Sequence, residues 1–448
     1  MSSCSLETAR SLRGAVILPG DKSIAHRALM IGAIARGITR IDNFPLHNDS
    51  AATVNALRAL GIRIVSLSPT NKRSIKVYGR FLRGFCVPRK PVHTGESGTT
   101  LRLLLGILAG QSFTTRVTAA PSLSSRPMRR ITEPLRRMGA RIEARKKAGA
   151  LEEYPPLTIR GGELQPITWS MVVASAQVKS AILLAGLYAR GKTTIREPVK
   201  TRDHTERMLK AFQARIKTFE NAIVIQGGRE LRSPGRIYVP GDISSASFFL
   251  VAACLVPDSR LVLKQVGLNP SRSGILKVLK RMKADISIAR VNDVNSRKKR
   301  SFEPSGTLVA RSSQLRGTTV LRKEIPSLID ELPILMVAAS LAQGRTVFRG
   351  VEELRVKETD RIRSMTGNLR AMGADISVIR QGGRESIVIK GPRLLRGCRV
   401  SSFGDHRTAM SLIVAGLCAR GRTTVTGTEC IAKSFPGFLE TLTPLIKS

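Results

Sequence analysis

The chain has 448 residues, more than one core comfortably fills, so two domains are the first expectation. Its net charge of +42 points to anionic partners, but basic residues are spread along the whole length and aromatic residues make up only 4%, which disfavours a single-strand nucleic-acid groove built on stacking. Six scattered cysteines with no CxxC pair, and no Cys/His cluster at metal-ligand spacing, disfavour a zinc module and fit a reducing cytoplasm. Every apolar run is too short or too interrupted to span a bilayer, and no signal-type apolar segment opens the chain, so a soluble cytoplasmic protein is expected.

Along the chain one phrase recurs six times: a helix-like run of small apolar residues, a breaker, then Thr and β-branched residues. The copies lie at residues 29–41, 103–117, 181–195, 248–263, 334–348 and 412–425. Their breakers are Gly37, Gly110, Gly191, Pro257, Gly344 and Gly421, and the nearly regular return marks about six similar repeats. Downstream of most copies stands an amphipathic segment that runs into alternating residues, as in VNALRALGIRIV (54–65), PLRRMGARIE (134–143), MLKAFQARIK (208–217), VLKRMKADISI (278–288) and NLRAMGADISV (368–378). Each repeat therefore reads as strand, buried helix, strand, amphipathic helix and two further strands. The first helix is apolar all round and belongs inside a domain; the second covers the outside.

Three repeats around three buried helices make one domain. The sixth repeat is cut short, while GAVILPGDKS (14–23) resembles GRIYVPGDIS (235–244). The expected partition is residues 1–20 with 241–448 in one domain and 21–240 in the other, with crossings near Gly20 and Gly241. The one local basic run is RKKR at 297–300.

Polar segments precede the six buried helices: GDKSIAHR (20–27), GESGTTLR (95–102), ASAQVKS (174–180), GDISSAS (241–247), SLIDELP (327–333) and GDHRTAM (404–410). Ser, Thr, Asp and Gly there are ordinary N-caps, but Lys22, Arg27, Arg102, Lys179 and Arg407 oppose the helix dipole unless an anion sits between them. GDISSAS, the least charged, reads as mainly structural. VKETDRIR (356–363) is open to two readings, a surface ion-pair lattice or part of a site. The same holds for PSLSSRPMRR (121–130), TRDHTER (201–207) and AKSFPGF (432–438), each of which reads alone as a surface loop, cap or turn.

Together PGDKSIAHR, GESGTTLR, SSRPM, ASAQVKSAILLAGLYA, TRDHTE, IDELP, LRVKETDR, GDHR and AKSFP, in this order over essentially the whole chain, resemble the EPSP synthase family of enolpyruvyl transferases. The resemblance implies an α/β fold of two similar domains, each of three βαβαββ units around buried parallel helices (the inverse α/β prism), with the active site in the cleft between them. It implies transfer of the enolpyruvyl group of phosphoenolpyruvate to the 5-hydroxyl of shikimate 3-phosphate on the route to chorismate. It also implies a monomer acting on small molecules, with no metal or organic cofactor, no membrane and no specific nucleic-acid partner.

Carried over by motif, Lys22 faces both substrates, and Ser23, Arg27, Ser175, Ala176, Thr201, Arg202 and Lys357 hold shikimate 3-phosphate. Gln177 lies between the substrates. Gly98, Arg126, Arg361, Arg407 and Lys433 bind phosphoenolpyruvate. Asp330 matches the acceptor of the hydroxyl proton and also touches shikimate 3-phosphate, and Glu358 matches the carboxylate that exchanges a proton with the methylene carbon. The sequence departs from the family at Glu96, where Asn is usual, at His93, Thr94 and Ala25, and at Thr201, where Ser is more common. ASAQVKS resembles the form associated with glyphosate tolerance. The sister enzyme acting on a UDP-amino sugar carries a reactive cysteine in the loop matching 120–129, and this chain has none there. A non-catalytic, nucleic-acid-binding paralogue is the reading from another class, motivated by the charge and by Glu96.

Overall fold

Asp or Ser at the start of five of the six apolar runs, and small residues along them, give helices that start at a cap and pack without protruding side chains. A computed structural model describes residues 2–67, 73–146, 149, 151–292 and 302–447; the RKKR run lies outside the described residues. The described residues form two compact units. One gathers residues up to Pro19, from Pro240 through Asn292 and from Pro304 on; the other gathers Gly20–Val239 with Phe302 and Glu303. Glu303 is fixed in that second unit by a buried contact of 2.7 Å to His204 Nδ1.

Each unit has its own apolar core and, among the described residues, three sheets. The middle repeat of the Gly20–Val239 unit shows the grammar. Val92–His93 pairs in parallel with Thr114–Thr118 across the helix Gly98–Leu108, and Thr114–Thr118 pairs antiparallel with Glu153–Arg160, which pairs with Arg141–Lys146. Thr168–Ser170, Lys192–Arg196, Ala222–Gln226 and Arg215–Thr218 repeat it around the helix Ala176–Gly186. The expected alternation of buried and amphipathic helices is present. Gly98–Leu108 and Ala176–Gly186 touch so closely that a β-carbon on Gly106 would lie 2.2 Å from the Ala181 carbonyl oxygen.

The first strand of one repeat in each unit comes from elsewhere in the chain. Arg236–Tyr238 pairs in parallel with Ala35–Asp42, next to the helix Lys22–Ala33. Ser11–Ile17, which precedes that helix in sequence, pairs instead with Arg260–Gly267, beside the helix Ile243–Leu255. The truncated sixth repeat takes its antiparallel strand from Ser3–Leu6, which pairs with Thr423–Thr426.

Two breakers work differently from expectation. The first helix ends at Ala33, and Gly37 sits inside the strand Ala35–Asp42 with φ of 100°, while Gly344 is the first residue of the strand Gly344–Arg349. Among the described residues no helix is long and apolar enough to cross a membrane.

Candidate functional site

In the Gly20–Val239 unit, capping accounts for part of each polar segment. Asp21 accepts from the Ile24 N–H at 2.9 Å, Ser97 from Thr100 at 3.2 Å and Ser175 from Val178 at 3.4 Å. Lys22, the first residue of its helix, places Nζ 2.9 Å from Asp49 Oδ2. Arg27 is buried and donates from Nε to Thr205 Oγ1 at 2.6 Å, from Nη1 to the Ser23 carbonyl at 2.9 Å and from Nη2 to Ser180 Oγ at 2.8 Å. It therefore joins the starts of three helices, Lys22–Ala33, Ala176–Gly186 and His204–Ala211. Burial lowers its pKa to about 10, with Glu206 opposing and Arg202 adding to the fall.

The Gly98 position explains the convergence of two more cations. A β-carbon there would lie 2.7 Å from Arg102 Nη1 and 3.4 Å from Arg126 Nη1, so glycine admits both guanidinium groups to the start of its helix. Arg102 Nη1 donates to Gln177 Oε1 at 2.8 Å, and Gln177 Nε2 donates to Thr99 Oγ1 at 3.0 Å. Ala176 and Gln177 open the helix that Ser175 caps. Glu96 Oε1 accepts from Ser122 Oγ at 2.9 Å, which links the loop before Gly98 to the segment leading to Arg126.

Lys179 corrects an expectation. Instead of waiting for an anionic ligand, its buried Nζ lies 2.6 Å from Glu206 Oε1 and 3.1 Å from Glu197 Oε2. Two carboxylates on the next elements neutralise it, while burial pushes the Glu206 pKa up against that attraction. Thr201 is engaged by the same group: its N–H and its hydroxyl both donate to Glu197 Oε1, at 3.1 and 2.5 Å.

The other unit assembles a denser charge cluster. Arg361, buried at the start of the helix Arg361–Ala371, donates from Nε to Asp405 Oδ2 at 2.7 Å, from Nη2 to Glu358 Oε2 at 2.5 Å and from Nη1 to Asp330 Oδ1 at 3.4 Å. Burial works against its charge, but Asp405, Glu358 and Asp330 together hold the guanidinium well above its ordinary pKa. Arg407 Nη1 donates to the Asp330 carbonyl at 3.1 Å, and its Nε lies 3.7 Å from Asp330 Oδ1. Asp405 also caps the helix His406–Cys418, accepting from the N–H groups of Arg407 and Thr408. Lys433 Nζ donates to the Gly404 carbonyl at 3.3 Å, and Lys357 Nζ lies 3.8 Å from Glu353 Oε1.

The residues singled out by motif thus gather in two groups, one in each unit. Sequence reasoning missed Arg272 and gave Ser244 too small a part. Arg272 Nη1 donates to Glu331 Oε2 at 2.7 Å, while its Nη2 donates to Ser244 Oγ, whose hydroxyl donates to Glu331 Oε1. The GDISSAS segment is therefore wired into the cluster. The only signal for Arg272 was a lone arginine among Ser and Gly just ahead of the helix Gly274–Arg281.

Three-plus-three packing of these repeats is the architecture of an enolpyruvyl transferase. The enolpyruvyl transferase NikO from Streptomyces tendae matches 98% of this chain and 96% of its own with a TM-score of 0.76, a likeness of fold at 20% identity. The family described as EPSP synthase (3-phosphoshikimate 1-carboxyvinyltransferase) matches residues 6–442. The 3-phosphoshikimate 1-carboxyvinyltransferase of Geobacter sp. (strain M21) is 46% identical over 448 residues, covering all of both chains. EPSP synthase from Acinetobacter baumannii superposes with a TM-score of 0.85 at 39% identity, over 99% of this chain and 98% of that one. The chain belongs to the EPSP synthase family.

Proposed function

We propose that this chain transfers the enolpyruvyl group of phosphoenolpyruvate to the 5-hydroxyl of shikimate 3-phosphate, with release of phosphate, and that groups from both units act on the two substrates. In this reading it works as a cytoplasmic monomer. Lys22 meets both substrates; Ser23, Arg27, Ser175, Ala176, Gln177, Thr201, Arg202 and Lys357 hold shikimate 3-phosphate. Gly98, Arg126, Gln177, Arg361, Arg407 and Lys433 hold phosphoenolpyruvate.

The chemistry needs two proton-handling groups. As the 5-oxygen bonds to the substituted enol carbon, its proton passes to Asp330, and Glu358 protonates the methylene carbon. The tetrahedral adduct then returns a proton from the resulting methyl group as the bond to phosphate breaks. The observation that carries this assignment is that Asp330 and Glu358 engage the two terminal nitrogens of the single Arg361 guanidinium. Arg361 thus sets the two carboxylates side by side, Asp330 to accept the hydroxyl proton as a carboxylate and Glu358 to deliver to carbon a proton it takes from solvent before the addition, and cations around the substrates offset their mutual repulsion. Phosphate release with both substrates, measured for the native chain, Asp330→Ala and Lys22→Ala, tests it. Both variants should lose about two orders of magnitude or more in kcat/KM; native rates in both would overturn the assignment.

A further inference from the structure

We propose that Arg272 is a positioning residue for the phosphoenolpyruvate side of this site: it occupies Glu331 so that Arg407 stays available to substrate, and it braces Asp330. The inference rests on the roles given above to Asp330 and Arg407. Glu331 has no exposed side-chain surface, directly follows Asp330, and stands at the N-cap of Leu332–Leu341 without making a side-chain cap bond. Its two oxygens face different partners. Oε2 accepts from Arg272, whereas Oε1 accepts from Ser244 and lies 3.7 Å from Arg407 Nη1. Arg272 also reaches towards the neighbouring acid, with Nη2 3.8 Å from Asp330 Oδ2.

One buried fork thus spans both members of the Asp330–Glu331 pair, a geometry that a single ammonium cannot reproduce. A buried carboxylate stripped of its partner is costly and recruits the next cation within reach. Without Arg272, Glu331 would draw on Arg407, the residue assigned to phosphoenolpyruvate. The defect is therefore selective for one substrate, whereas a brace needed only for folding would lower the amount of active protein and leave both Michaelis constants alone.

The test compares the full chain with Arg272→Gln, Arg272→Lys, Arg272→Gln/Glu331→Gln and Asp330→Ala. Arg272→Gln should raise KM for phosphoenolpyruvate about tenfold and lower kcat, with KM for shikimate 3-phosphate changed by less than about threefold. Arg272→Lys should give a smaller rise of the same selectivity, and it carries the test if the glutamine variant does not fold. The double variant, with the stranded charge removed, should bring KM for phosphoenolpyruvate back to within about threefold of native. Parallel shifts in both Michaelis constants, no shift in a folded variant, or no recovery in the double variant would overturn the proposal. A fully active Asp330→Ala would instead remove the reading beneath it; an inactive one beside native kinetics in both Arg272 variants would remove the role of Arg272 alone.

Discussion

Arg361 Nε donates to Asp405 Oδ2 across 2.7 Å, and neither side chain has more than 1% of its surface exposed. Arg361→Met would leave Asp405 as a buried carboxylate without this partner. The expected loss is about 3–5 kcal/mol of unfolding free energy, read from denaturant titration. A variant as stable as the native chain would show that Asp405 is neutralised by its helix cap alone.

Gly98 has a narrower tolerance. In Gly98→Ala the new methyl group meets Arg102 Nη1 at 2.7 Å, so the flexible guanidinium yields and loosens its bond to Gln177. The chain should fold, with KM for phosphoenolpyruvate raised about fivefold or more and stability changed by less than about 1 kcal/mol. Unchanged affinity would place phosphoenolpyruvate away from this helix start.

Glu96 contributes a negative charge beside the same helix start while accepting from Ser122. Glu96→Gln keeps an acceptor and removes the charge, so KM for phosphoenolpyruvate should fall about two- to fourfold, as suits an exposed charge. The decrease should shrink at high salt. An unchanged or higher KM would mean that the loop already accommodates the charge.

Lys357 gives a dependence on pH. Burial pushes its pKa below the ordinary lysine value, with Glu353 and Asp330 opposing the fall. A lysine that holds phosphate as an ammonium does so fully below its pKa and loses the contact as pH rises through it. KM for shikimate 3-phosphate should therefore climb on the alkaline side while an ordinary lysine is still charged. Lys357→Arg should abolish that climb. A KM independent of pH in the native chain across this range would argue that Lys357 does not carry the phosphate charge.

The helix starts were legible because Asp21, Ser97, Ser175, Asp242 and Asp405 are caps that also stand in patterned polar segments, so local sequence and fold point the same way. Lys179 was misread because its neutralising partners, Glu197 and Glu206, come from later elements and only packing brings them to it. Arg272 stayed hidden for the same reason: its neighbours in sequence resemble a turn, and its importance comes from a carboxylate 59 positions away. The likeness of the segments at 14–23 and 235–244 led to grouping residues 1–20 with 241–448, but the particular partners, Arg260–Gly267 for Ser11–Ile17 and Ala35–Asp42 for Arg236–Tyr238, are set by pairing across the chain, which no local pattern encodes.

The borrowed strands also set an order of events during synthesis. Ser11–Ile17 has nothing to pair with until Arg260–Gly267 is made, and Ser3–Leu6 waits for Thr423–Thr426. At ribosomal speeds that delay is on the order of ten seconds or more. The Gly20–Val239 segment, whose strands pair among themselves, can fold meanwhile. Ser3–Leu6 and Ser11–Ile17 are thus translated long before their partners, and the vulnerability of the nascent chain to misassembly lies in these two strands.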